Sequence, residues 1–315
     1  MPNVKKISDA LDKIIKALFE FKDALNEDVK TELVEVPHTQ IVETKEEKQI
    51  IMPADDNFES LKKALESEKW PEAVNPNLIC DPNNEQDKLE RGRGIVELMI
   101  EPDLKDLKVL DFGCGEGHVA FVATEYEPTF VVGYDNKENN KWSAYEQKEN
   151  LLFTNDFEKV LEKGPYDVVV IFDVLDHCKY EDPISLLKKA RDVLAENGQI
   201  YMRCHPFVSK HGTHLYHQLN KAYAHLVFTK EELEQLVPNQ NFVEESIGVK
   251  FPLATYDKFI KEAQLETVHR REITSNVDNF FKIPKIAERI ISQNGFESFP
   301  EFQMSLDFVD YVLKK

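Results

Sequence analysis

Residues 108 to 119 read Lys-Val-Leu-Asp-Phe-Gly-Cys-Gly-Glu-Gly-His-Val, and no other stretch restricts the fold of this chain as much. A short apolar run ends in Asp111, glycines follow at alternate positions (Gly113, Gly115, Gly117), and an apolar helical pattern opens with Val119, Ala120 and Val122. The order predicts strand, tight turn, helix. Glycine takes positive φ without strain and lets a ligand approach where a Cβ would stand. The first turn of a helix adds N–H groups with no partner of their own. Together they predict a turn built to receive a nucleotide-like ligand.

A dinucleotide-binding turn needs a third small residue three places after its second glycine. His118 stands there, which disfavours a nicotinamide cofactor. From Gln86 onward the chain alternates strand and helix patterns. A helix over 86 to 100 leads into the glycine turn. Apolar runs at Phe130 to Tyr134, Leu151 to Thr154, Tyr166 to Phe172 and Gln199 to Arg203 follow, with a helix over 183 to 195 before the last. β-Branched runs such as Val168 to Ile171 suit strands buried on both faces. The alternation predicts an α/β fold, a parallel sheet with helices on both faces.

The flanks are less regular. Ile7, Leu11, Ile14, Ile15, Leu18 and Leu25 recur at helical spacing, an amphipathic helix that packs on its own domain or on a partner. Short β-rich pieces between Thr31 and Met52 come next, then a helix over 57 to 69 and a loop from Pro71 to Pro82. Beyond the core, Thr229 caps a helix and Phe242 to Val249 reads as a strand. Helices near 255 to 263 and 284 to 292 flank a strand near 266 to 273. Met304 to Leu313 alternates as a last strand, with Met304, Leu306 and Phe308 on one side. This divides the chain into an N-terminal extension of helix and short β segments (1–75), a core (76–250), and a C-terminal part that completes the sheet and borders the substrate pocket (251–315).

Composition narrows the function. Across 315 residues, 42% hydrophobic and 31% charged content is that of a soluble globular protein. With 39 basic against 58 acidic residues the net charge is −19, which repels a polyanion and disfavours nucleic acid as partner. No apolar stretch approaches a bilayer span, and Lys5, Lys6, Asp9, Asp12 and Lys13 interrupt the first twenty residues, so a cytoplasmic protein with no membrane partner is expected. Cys80, Cys114, Cys178 and Cys204 are scattered with no C-x-x-C pair, which fits a reducing compartment.

The G-x-G-x-G turn after an acid, together with Phe172-Asp-Val-Leu-Asp-His-Cys ending the fourth strand, resembles the class I S-adenosylmethionine (SAM) methyltransferases. The similarity is greatest to the small-molecule type 11 and quinone-biosynthesis groups, which carry Asp-Val-Leu-Glu-His at that point. Asn197-Gly198 stands where those groups have Pro-Gly-Gly, with the proline and one glycine missing. The resemblance implies a Rossmann-like open, mostly parallel seven-stranded sheet and SAM as cofactor. It implies that Asp111, Phe112, Gly113, Cys114, Gly115 and Gly117 lie along the methionine and ribose, that Asp135 with Asn136 meets the ribose hydroxyls, and that Asp156 with Phe157 meets the adenine. Phe172 and Asp173 complete the cofactor set. The acceptor is expected to be a small molecule methylated at O, N or C. A protein or RNA acceptor stays open, as does a SAM-fold binding or assembly protein without turnover. Asp173-Val-Leu-Asp lacks the Pro-Pro-aromatic motif with which amino-methylating DNA enzymes hold a flipped base, so DNA is not expected. A homo-oligomer or a protein partner could use the N-terminal helix.

His205 follows the fifth strand directly, and His211, His214, His217 and His225 come soon after. A histidine here could take a proton from the acceptor, with His205 the first candidate and His177 the second. The three-residue spacing of His211, His214 and His217 permits a metal, but no carboxylate completes the set and no metal is assigned. Any single histidine could equally cap a helix or fill a polar interface. Tyr201, Tyr216 and Tyr223 are packing residues or an aromatic wall near the sulfonium.

Overall fold

The computed structural model describes residues 57–315 apart from 68–69, 77–78, 82, 101–102, 146–147, 179–181, 211, 213–214, 238–250, 277–283 and 299. The expected amphipathic helix over 5 to 25, the β-rich pieces up to Met52 and the strand at Phe242 to Val249 lie outside the described residues.

The alternation forms as its apolar spacing dictates. Helices α1 (Phe58–Leu65) and α2 (Glu85–Met99) precede β1 (Lys108–Phe112). Then come α3 (His118–Ala123), β2 (Phe130–Tyr134), β3 (Leu151–Thr154), α4 (Phe157–Lys163), β4 (Tyr166–Phe172), α5 (Asp182–Val193) and β5 (Leu194–Cys204). The chain closes with α6 (Ala224–Val227), α7 (Lys230–Leu236), α8 (Leu253–Glu262), β6 (Glu266–Thr274), α9 (Pro284–Asn294), α10 (Glu301–Ser305) and β7 (Leu306–Lys314). Helix starts are set by side chains that accept N–H groups: Asn57 for α1, Asn84 for α2, Asp156 for α4, and Thr229 with Glu232 as a capping box for α7.

The seven strands run in the order β3-β2-β1-β4-β5-β7-β6. β1 to β5 pair in parallel, and β7 runs antiparallel to both β5 and β6. Successive residues face opposite sides. Val109, Val168 and Val170 pack with Ile95, Val96 and Met99 of α2. Leu110, Val169 and Ile171 pack on the other face with Val160, Leu187 and Phe259 of α4, α5 and α8. Helices therefore cover both faces.

Several boundaries differ from the sequence expectation, among them the helix expected over 57 to 69, which runs Phe58–Leu65, and the helix expected over 183 to 195, which ends at Val193. Met304 is not in the last strand. It sits in α10, with its side chain in a separate apolar cluster, and the alternation of β7 begins at Leu306. β5 starts earlier than Gln199: Tyr166 pairs with Leu194 and Val168 already with Gln199, so the Asn197-Gly198 segment loops out of the ladder.

The separate cluster is built from Leu61, Leu65 and Trp70 near the start of the described chain, Phe207 and Leu226 to Phe228 after β5, and Ile286 and Ile290 of α9. Trp70 Nε1 donates to the Ala222 carbonyl at 2.9 Å, and the Asn220 amide bonds Val74 in both directions at 2.9 and 2.7 Å. These bonds fix the loop at 73–75 beside the site. No helix among the described residues is long and apolar enough to cross a membrane.

Candidate active site

In an open parallel sheet, ligands bind beyond the carboxyl ends of the strands where strand order reverses. Here that point lies between β1 and β4, and a cavity of about 720 Å³ opens there. The glycine turn and α2 form one wall. The ends of β4 and β5 and the start of β7 form another, and Ala73, Val74, Asn75 and Cys80 contribute a third.

The glycines of the turn answer to different demands. Gly113 has φ +87°, and a Cβ there would lie 2.5 Å from Val174 Cγ2. Gly115 has φ +52°, but a Cβ there would meet nothing within 4 Å. Packing excludes a side chain at the first, whereas the second leaves clear space on the cavity side. The turn is braced by Asp135, whose Oδ2 accepts from the Gly115 N–H at 3.0 Å, and by Trp142 Nε1, which donates to the Gly115 carbonyl at 2.9 Å. Asp111 lines the cavity yet is only 4% exposed, and its Oδ2 accepts from Ala120 N–H at 3.1 Å. Burial pushes this carboxyl up to about 7, with Asp135 adding to the rise and the Ala120 bond opposing it.

On the opposite wall Asp173 holds a left-handed conformation, φ +54°, which costs a non-glycine residue energy and marks a position fixed by its surroundings. Its Oδ1 lies 2.8 Å from His205 Nδ1, and its Oδ2 lies 3.4 Å from Arg91 Nη2. Asp176, 3% exposed, accepts from the His205 backbone N–H at 2.8 Å and from the Tyr256 hydroxyl. Burial raises the Asp176 carboxyl to about 6. Burial also works against a charged His205, but Asp173 and Asp176 outweigh it and hold the imidazole above the ordinary histidine range. Arg203 donates from Nε and Nη2 to Asp310 at 2.6 and 2.8 Å while its guanidinium lies 3.7 Å from the centre of the Phe308 ring.

Residues 83–246, just over half of the chain, match a family described as a methyltransferase domain. The chain belongs to the class I SAM-dependent methyltransferases. It is similar to proteins named tRNA U34 carboxymethyltransferase. The one from Trichodesmium erythraeum (strain IMS101) is 24% identical over 184 residues, covering 56% of this chain and 53% of the relative. The one from Campylobacter fetus subsp. fetus (strain 82-40) is 29% identical over 157 residues, covering 47% and 52%. The chain thus spans about half the length of these curated relatives. It is also similar to a solved SAM-dependent methyltransferase of Mesorhizobium loti, at 15% identity and TM-score 0.46 over 72% of this chain and 100% of that one.

In this methyltransferase the cavity is lined by Asp111, Gly113, Cys114, Gly115, Phe172, Asp173 and His205 from the expected set. The others stand back from it. Phe112 is buried against the rings of Tyr134 and Phe157, Gly117 caps α3, and Asp156 caps α4. Asn136 is exposed beyond β2, and Asp135 reaches the lining only through Gly115. His177 is exposed, in a single turn at 175–177, and does not line the cavity. His225 is buried with Nε2 on the Phe207 carbonyl at 2.7 Å, a structural role. His211, His214 and the side chain of His217 lie outside the described residues. Tyr201 and Tyr223 are buried packing residues, and Tyr216 alone of the three tyrosines lines the cavity.

Sequence reasoning missed Lys88 and Arg91 of α2, Arg203, Lys210, Asp307 and Phe308. A signal existed for one pair. Arg203 and Asp310 each interrupt an apolar strand, and charges placed so need a partner. For SAM, the open face of Gly115 and the buried Asp111 carboxylate beside it suit an amino-acid end with a cationic ammonium. Asp173, Asp176 and His205 are close enough together to hold a metal ion. Both Asp176 oxygens, however, already receive hydrogens, and Arg91 pairs with Asp173, so the cluster is better suited to holding a proton.

Proposed function

We propose that this protein transfers the methyl group of SAM to a small-molecule acceptor, with His205 as the base that takes the acceptor's proton. One observation carries the reading: the His205–Asp173 pair shares a single cavity with the open face of Gly115. Bound there, SAM supplies a methyl group on a sulfonium that leaves as a neutral thioether. Asp111 balances the ammonium of the amino-acid end, and Asp135, next to Gly115, accepts from the ribose hydroxyls. As the acceptor's lone pair forms the new bond to carbon, its proton passes to His205 Nε2. Asp173, on Nδ1, stabilises the imidazolium. The remainder of the rate comes from alignment of acceptor and methyl within a cavity whose wall at 73–75 is held by Asn220. The four cysteines, all free, support a cytoplasmic location.

A second reading, an RNA nucleoside as acceptor, is favoured by the names of the two relatives. The charge of −19 supports the small molecule. Incubating the protein and methyl-labelled SAM with a fractionated cell extract separates the two. Label in the metabolite fraction that His205→Gln abolishes supports the first reading, and label in RNA replaces it with the second.

A further inference from the structure

We infer that Asp176 and Tyr256 form a buried arm that orients His205 and tunes its affinity for a proton. Tyr256 lies on α8, beyond the residues that match the methyltransferase family. The C-terminal part of the chain therefore reaches into the transfer site.

Asp176 Oδ2 accepts the backbone N–H of His205 at 2.8 Å, and Asp176 Oδ1 accepts the Tyr256 hydroxyl. The same hydroxyl stands 3.4 Å from the His205 carbonyl oxygen. The arm thus holds His205 through its peptide N–H and sets the phenol against its carbonyl. Tyr256 is itself wedged between Phe251 and Phe259, with ring centres 5.9 and 6.4 Å away, so the phenol is held rigidly. With the backbone pinned and Nδ1 on Asp173, Nε2 is the nitrogen that can meet an acceptor.

Both oxygens of Asp176 serve as acceptors, and an asparagine would turn an NH2 donor toward either the His205 N–H or the Tyr256 hydroxyl. A carboxylate at this place does what an amide cannot, since Asp176 Oδ2 lies 4.0 Å from His205 Nδ1 and attracts a proton on the ring. The other groups facing His205 are Asp173, which acts in the same direction, and Arg203, which opposes and is largely neutralised by Asp310. Burial favours the neutral form of Asp176, and the bond from the Tyr256 hydroxyl opposes that effect and favours the charge.

The functional meaning of the arm rests on His205 being the base, but its test reads the imidazole directly. The full chain labelled with ¹⁵N-histidine is titrated by NMR, with His205→Gln identifying the signal. The wild-type His205 titrates above an ordinary histidine. Tyr256→Phe, which keeps the ring packing, and Asp176→Asn each lower its pKa by at least about half a pH unit, about threefold in proton affinity. Leu253→Ala, which removes core packing of the same helix without altering the rings around Tyr256, leaves it in place. An unchanged titration in Tyr256→Phe overturns the inference, as does an equal shift in Leu253→Ala. If His205 titrates as expected but His205→Gln transfers methyl groups at the wild-type rate, the base assignment fails and the arm stands.

Discussion

Asp173 Oδ1 and His205 Nδ1 lie 2.8 Å apart, so the turn after β4 and the first residue after β5 share one charged contact at the floor of the cavity. Asp173 makes it from a left-handed backbone conformation. The contact raises the proton affinity of His205 against the effect of burial.

That contact sets the pH dependence. A base works when neutral, and the folded pKa is raised, so the rate climbs with pH and levels off only above the ordinary histidine value of about 6.5. Asp173→Asn moves the limb toward acid. His205→Gln slows transfer by about 10²- to 10⁴-fold and leaves affinity for S-adenosylhomocysteine (SAH) within about twofold. Initial rates between pH 5 and 9 check both statements.

Asp111 makes a separate pH prediction. Its folded pKa of about 7 exceeds that of an unfolded aspartate, so the unfolded state binds fewer protons between about pH 4 and pH 7. The group costs nothing below that window, and its cost grows through the window to at most about 4 kcal/mol above it. Asp111→Asn, which still accepts from Ala120, is therefore more stable than wild type at pH 8 and equal to it near pH 4, as urea unfolding at the two pH values reads. A ligand ammonium favours the ionised form, so SAH affinity rises with pH through the window and binding releases a proton. Calorimetry in buffers of different ionisation enthalpy measures that release.

Gly113 and Gly115 separate folding from binding. Gly113→Ala combines positive φ with a clash against Val174, and costs about 2 kcal/mol or more of stability. Gly115→Ala has room for its methyl and costs about 1 kcal/mol, but it fills the space next to Asp111 and weakens SAH binding. Thermal melting and SAH titration of the two variants should give opposite rankings.

Asp310 serves two guanidinium groups, Arg203 at 2.6 and 2.8 Å and Arg271 at 2.6 Å. Asp310→Ala leaves Arg203 unpaired next to Phe308 and costs about 3 to 5 kcal/mol. Urea unfolding measures it. Arg271→Ala, removing the more exposed partner, costs under about 1 kcal/mol.

The five strands and the helices at Glu85–Met99, His118–Ala123 and Asp182–Val193 were legible because they are short and apolar on their buried faces, whereas the helix Phe157–Lys163 was not read from the sequence. The site was legible along the glycine turn, at the end of β4, and at His205 and Tyr216 after β5. Asp156, which the resemblance places at the adenine, also starts α4, where its side chain accepts the Glu158 N–H at 3.0 Å. His177 and Asp176 are adjacent, and the single turn that holds them buries the acid and exposes the histidine, a rotation that periodicity over so few residues does not reveal. Tyr256 and Asp310 meet the site through tertiary contacts far along the chain: the break that Asp310 makes in an apolar strand signals a need for a partner but not which one, and nothing local to Tyr256 signals even that.

The most direct test of the account is calorimetric titration of the protein with SAH, with NAD and the Asp135→Ala variant as controls. The account predicts micromolar or tighter binding of SAH, none of NAD, and a large loss in Asp135→Ala, where the brace on Gly115 and the proposed ribose contact are both removed. Absence of SAH binding by the wild-type protein, or binding of NAD in its place, would contradict it.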